Sequence, residues 1–225
     1  MNGVNKRACA GLLNLLVFVF LAIFLPAGTL HYWQGWAFLF AFFAPSLGIT
    51  LYLMRNDPKL LERRVHAGVV AEKQTTQKII QGLAAVAFVM TIVVPALDHR
   101  LRWSAVPRWA SLAGDLLVAL GFLAVVRVFK ENTYTSGTIE VAAEQQVIST
   151  GPYALVRHPM YSGALVLLLG IGPALGSWWG LLTVVPMAGV IILRLLAEER
   201  FLKEHLAGYA EYLSEVKYRL APFLW

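Results

Sequence analysis

The stretch TGPYALVRHPMYSG, residues 150–163, gathers two glycines, two prolines, two tyrosines, an arginine and a histidine into fourteen positions. It runs into 33 residues, 161–193, that carry no charge. Pro152 and Pro159 remove backbone donors and hold the residues before them extended. A helix that begins after His158 places Pro159 in its first turn, which proline tolerates. Arg157 and His158 then stand at the helix N-terminus, with Tyr161 about one turn further in and Gly163 leaving room for close approach. Such a terminus favours carboxylates and other anions. The same two basic residues also fit a helix anchored to lipid headgroups.

At the far end of the uncharged run the chain reads ILRLLAEERFLKEHLAGYAEYLSEVKYRLAPFLW. Arg194 and Glu198 are four apart and share a helical face. Arg194 lies close to the membrane boundary; an ionisable group within the hydrocarbon costs about 2.5–3.5 kcal/mol to insert and marks function when it faces the protein interior. A snorkelling arginine paired with a surface glutamate is the plainer alternative. Glu198 and Glu199 are adjacent and point about 100° apart on a helix, which speaks against a paired acid and base. Tyr209, Tyr212 and Val216 continue an apolar stripe suited to lidding a site.

These residues need a scaffold, and the composition says which kind. The 225 residues are 58% hydrophobic and 14% charged, with mean hydropathy +0.64. Soluble domains carry about 25% charged residues, so an integral membrane protein is expected. Runs of spanning length, about 20 residues, cover Gly11–Leu30, Gly35–Met54, Ile79–Leu97 and Trp109–Val126. The first lacks a small-residue cleavage site and reads as an anchor. Tyr161–Leu193 would be about 50 Å long as one helix, against a hydrocarbon core of about 30 Å. Pro173, Gly176 and Ser177 near its middle predict two shorter helices joined by a tight turn.

The predicted fold is therefore all-α and polytopic, with about five transmembrane segments, the last a helix hairpin, and a cytoplasmic pocket beside it. Residues 1–129 hold the first four spans and a basic loop, 55–78, that reads as an amphipathic surface helix. Residues 130–225 hold the hairpin, bracketed by a polar, β-branched segment before it and a charged helix after it. That bracketing brings the RHPMY stretch beside Glu198–Glu199. Asp115, inside the fourth span, fits either a hydrogen bond in helix packing, the favoured reading, or a polar cavity.

The net charge of +6 is a matter of topology rather than of nucleic-acid binding. With the N-terminus cytoplasmic, sixteen lysines and arginines fall inside and only Arg100, Arg102 and Arg108 outside, as the positive-inside rule requires. Cys9 is the single cysteine, so no internal disulfide or multi-cysteine metal site forms. The histidines show no ligand spacing, and no metal is expected. Gly170-Ile171-Gly172 lies inside an apolar run with no preceding strand, so it is not a dinucleotide fingerprint.

The pattern Gly151-x-Tyr153-x-x-x-Arg157-His158-Pro159-x-Tyr161-x-Gly163, followed by Glu198-Glu199-x-x-Leu202, Gly208, Tyr209, Tyr212, Val216 and Pro222, resembles the isoprenylcysteine carboxyl methyltransferases and the related phospholipid methyltransferases. The likeness covers about the last 90 residues. It implies a membrane-embedded methyltransferase that uses S-adenosylmethionine in a cytoplasmic pocket. Carried over, the cofactor contacts are Gln146, Val147, Ile148, Tyr153, His158, Pro159, Tyr161, Glu198 and Glu199. Arg194 takes the place of the family arginine that contacts the acceptor, and it and His158 are the candidate catalytic residues. The implied acceptor is a lipophilic small molecule or lipid, most simply a carboxylate, reaching the pocket sideways from the bilayer. The alternatives are a phospholipid amine as acceptor, an NADPH-dependent sterol-type reductase, and a non-enzymatic membrane protein. The reductases place Pro-Asn-Tyr and an acidic residue after the glycine, whereas this chain has Pro159-Met160-Tyr161 and Ala164.

Overall fold

The computed structural model describes residues 3–66, 72, 74–142 and 145–225. Of the 55–78 loop, residues 67–71 and 73 lie outside the described residues. The helices are α1 (Gly3–Ala27), α2 (Trp33–Asn56), α3 (Pro58–Val65), α4 (Thr75–Leu101), α5 (Arg108–Glu131), α6 (Pro159–Ala174), α7 (Val184–His205) and α8 (Tyr209–Glu215). No strand occurs among the described residues. Five helices are long and apolar enough to cross a membrane: α1, α2, α4, α5 and the stretch Trp179–His205 that contains α7.

The long uncharged run breaks as its sequence predicts. α6 has 16 residues, about 24 Å. Pro173 sits in its last turn, where it offers no backbone donor, and Gly176 turns the chain with φ +68°, a left-handed conformation that glycine adopts without steric cost. The turn is tied down from two sides. Tyr32 Oη donates to the Leu175 carbonyl, and Ser177 Oγ donates to Asp98 Oδ2 at 2.5 Å. Asp98, 1% exposed, also accepts from the Ser104 backbone at 2.8 Å.

α1 packs on α2 and α4, α2 on α5, and α4 on α7, while α5 and α6 form the most intimate pair. Val19, Ile23, Phe38, Ile92, Ile171 and Leu195 fill the centre without exposure. Glycine permits the α5–α6 approach: a Cβ on Gly114 would sit 2.3 Å from the Ala174 nitrogen, and one on Gly170 would sit 2.5 Å from the Gly114 oxygen. Small residues commonly let membrane helices meet in this way. Gly114→Ala is therefore expected to lower stability by about 1–3 kcal/mol through overpacking. Gly82→Ala, where nothing lies within 4 Å of an added Cβ, should be neutral or raise stability by up to about 1 kcal/mol. Melting both variants in detergent checks the pair, and equal midpoints would contradict it.

Among the described residues Asp115 does not make the expected packing bond: its Oδ1 and the Ser111 Oγ one turn earlier are buried without a described partner.

Candidate functional site

The site lies at the end of the bundle where α5 and α7 end and α6 begins. Residues 132–142 and 145–150 run as non-helical chain across that end. Their polar, β-branched composition resists helix formation, and long side chains from two helices, α3 and α7, hold them in place. Arg63 Nη1 donates to the Thr133 carbonyl at 2.6 Å, and Arg64 Nη1 donates to the Ser136 carbonyl at 3.2 Å. Arg194 Nη2 donates to the Gly137 carbonyl at 2.8 Å. The basic loop thus contributes more than a surface helix. Asp57 caps α3 by accepting from the Leu60 nitrogen at 3.0 Å, Leu60 and Leu61 are buried, and both arginines face the site wall. Burial pulls the Arg64 guanidinium below its ordinary pKa, and nearby Arg194 adds to that shift.

The RHP stretch is held from the other side by the C-terminal tail. The Arg157 and His158 nitrogens donate to the Tyr218 and Arg219 carbonyls, both at 2.9 Å, and Ser162 Oγ donates to the Leu220 carbonyl at 2.6 Å. Arg157 also donates to the Val216 and Leu213 carbonyls, at 2.6 and 2.9 Å. Pro159 opens α6 at the position expected for it.

Between these walls lies a pocket of about 890 Å³, counting its open mouth. Gln146, Val147, Ile148 and Tyr153 line one side. His158, Pro159, Tyr161, Arg194 and Glu198 line the other, and Tyr209 and Tyr212 close over it. Tyr161 Oη donates to Glu198 Oε2 at 2.9 Å, which joins the start of α6 to the middle of α7. Glu199 is not among the lining residues. Its carboxylate, 9% exposed, turns away to Arg157 at 3.1 Å, Arg219 at 3.0 Å and His158 Nε2 at 3.4 Å. The two adjacent glutamates thus serve different surroundings.

Arg194 does not pair with Glu198, although they share a helical face. Its Nη2 meets Glu72 Oε1 at 2.8 Å, and its Nη1 donates to Gln77 Oε1 at 3.3 Å. Sequence reading missed Glu72, one of few acids in a basic segment with no periodicity to point at Arg194. It also missed Asn132, whose Nδ2 donates to Tyr153 Oη at 3.0 Å.

Three phenols that line the pocket, Tyr153, Tyr209 and Tyr212, are shifted above their ordinary range. Burial drives the Tyr153 and Tyr209 hydroxyls well above their usual pKa, and the Glu198 charge adds to both shifts. Burial pushes Tyr212 up to about 12 from 10.0. Between those two values the unfolded chain loses a proton that the folded chain keeps, so stability falls as pH rises. The melting midpoint is expected to drop between pH 10 and 12, and less steeply in Tyr212→Phe. Equal slopes in the two proteins would contradict this.

A comparison with curated proteins found no match. A comparison with protein families matched residues 109–208 to the phospholipid methyltransferase family. The matched segment runs from the start of α5 to the glycine before α8 and takes in Tyr153, His158, Tyr161, Arg194 and Glu198. Residues 109–208 of this integral membrane protein are thus similar to the phospholipid methyltransferase family, the membrane methyltransferases that include the isoprenylcysteine carboxyl methyltransferases.

Proposed function

We propose that the chain is an S-adenosylmethionine-dependent methyltransferase whose pocket faces the cytoplasm and whose lipophilic acceptor arrives from the bilayer. The observation that carries this reading is the convergence of Tyr161 and Glu198 at 2.9 Å in a pocket built within the family segment. The lining fits the cofactor. It offers a carboxylate and phenol rings, groups that attract a sulfonium or ammonium, beside Gln146, Val147 and Ile148. When bound, the cofactor supplies a methyl group on a sulfonium.

The residues then act mainly by positioning, which is worth several kcal/mol in an in-line displacement. Glu198, steadied by Tyr161, holds the cofactor's ammonium or ribose hydroxyls, and Tyr153 and His158 border its remaining polar groups. Arg194 aligns the acceptor carboxylate by charge-assisted hydrogen bonds. A carboxylate oxygen held there by Arg194 would receive the methyl group that the bound cofactor would supply. A carboxylate has no proton to lose, so no base is needed. A second reading, a phospholipid amine that gives up one proton, is favoured by a single observation: Arg194 already meets the carboxylate of Glu72.

Radiolabelled S-adenosylmethionine tests both. The protein in liposomes is offered N-acetyl-S-farnesylcysteine or phosphatidylethanolamine. Base-labile label on the farnesyl compound, released as methanol, supports the carboxylate reading. Base-stable label on the amine lipid supports the second. Label on neither, from folded protein, contradicts the function.

A further inference from the structure

The arginine assigned to the acceptor already holds a carboxylate that belongs to the chain. Glu72 Oε1 lies 2.8 Å from Arg194 Nη2, with the two side chains 3% and 12% exposed. Glu72 lies between α3 and α4, outside either helix, while Arg194 is fixed on α7 and braced by Gln77 and the Gly137 carbonyl. Gln81 joins the cluster. One amide orientation puts its nitrogen 3.4 Å from Glu72, and the other lets its oxygen accept from Arg194 at 3.0 Å. The second arginine lining the pocket, Arg157, is committed to Glu199 and two backbone carbonyls. Arg194 is thus the lining guanidinium whose main partner sits outside the helical frame.

We propose that Glu72 is the resident counter-ion of Arg194 and sets the acceptor selectivity of the pocket. An acceptor carboxylate binds by taking the place of Glu72 on the guanidinium, and every such acceptor must compete with it. A neutral or cationic head meets an arginine already neutralised and needs no exchange. A buried guanidinium left without a counter-charge is strongly unfavourable, so the resident carboxylate also keeps Arg194 in place while no acceptor is bound. This inference rests on the reading of Arg194 as the acceptor contact.

Glu72→Gln keeps the shape and removes the charge. With N-acetyl-S-farnesylcysteine as acceptor, the variant is expected to show a KM about tenfold lower than the wild type. Its kcat should stay within twofold, and its affinity for S-adenosylhomocysteine should not change. Glu72→Asp, which keeps the charge, should give a distinctly smaller fall. An unchanged or higher KM in Glu72→Gln would overturn the proposal. So would weakened S-adenosylhomocysteine binding together with a lower melting temperature, since that combination marks Glu72 as a strut for the pocket wall. If neither wild type nor variant accepts or binds the farnesyl carboxylate while both bind S-adenosylhomocysteine, the acceptor role of Arg194 fails and the proposal fails with it.

Discussion

Glu198→Ala is expected to weaken S-adenosylhomocysteine binding at least a hundredfold, about 3 kcal/mol, with little change in melting temperature. Glu198 is half-buried and accepts from Tyr161 Oη through Oε2, while none of the described residues donates to Oε1. Glu198 lines the pocket, so the loss falls on the ligand rather than on the fold. Tyr161→Phe should reproduce a smaller part of the effect, roughly tenfold, because it frees the carboxylate without removing it. Arg194→Ala should leave cofactor affinity near the wild-type value and remove turnover of a carboxylate acceptor. Calorimetry on the three variants checks the set. Full binding by Glu198→Ala would show that the cofactor contact lies elsewhere.

The neighbouring residue is expected to behave in the opposite way. Glu199 gathers Arg157, His158 and Arg219, and through them it joins α7 to the start of α6 and to the C-terminal tail. Removing one member of such a buried cluster strands the others, at a typical cost of about 3–5 kcal/mol. Glu199→Ala should therefore lower the melting temperature sharply and loosen residues 216–225, which protease cleavage of the tail would report. Cofactor affinity, measured well below the melting point, should fall much less than in Glu198→Ala. A variant that melts like the wild type would mean that the cluster contributes nothing net to stability. The two adjacent substitutions thus separate binding from folding by a turn of about 100° on one helix.

What the amino-acid order reveals here follows from the range of each signal. The break at Pro173 and Gly176 was legible because both residues act on their own backbone, and the helix ends there. The helix start at Pro159 was legible for the same reason. That the RHPMY stretch and the glutamates share one end of the bundle followed from the hairpin alone. Which glutamate faces the pocket did not, since helical spacing says only that Glu198 and Glu199 diverge. The Arg194–Glu72 pair spans 122 positions and leaves no local pattern. The tail carbonyls that take the Arg157 and His158 donors are backbone atoms and carry no side-chain signature. Asp115 shows the converse case, where a rule of thumb favoured a packing bond and none of the described residues partners its Oδ1.

The most direct measurement is calorimetric titration of the folded, detergent-purified protein with S-adenosylhomocysteine, with NADPH run in parallel. Saturable binding of S-adenosylhomocysteine alone is expected. Binding of NADPH alone, or of neither ligand, would contradict the methyltransferase assignment of this pocket.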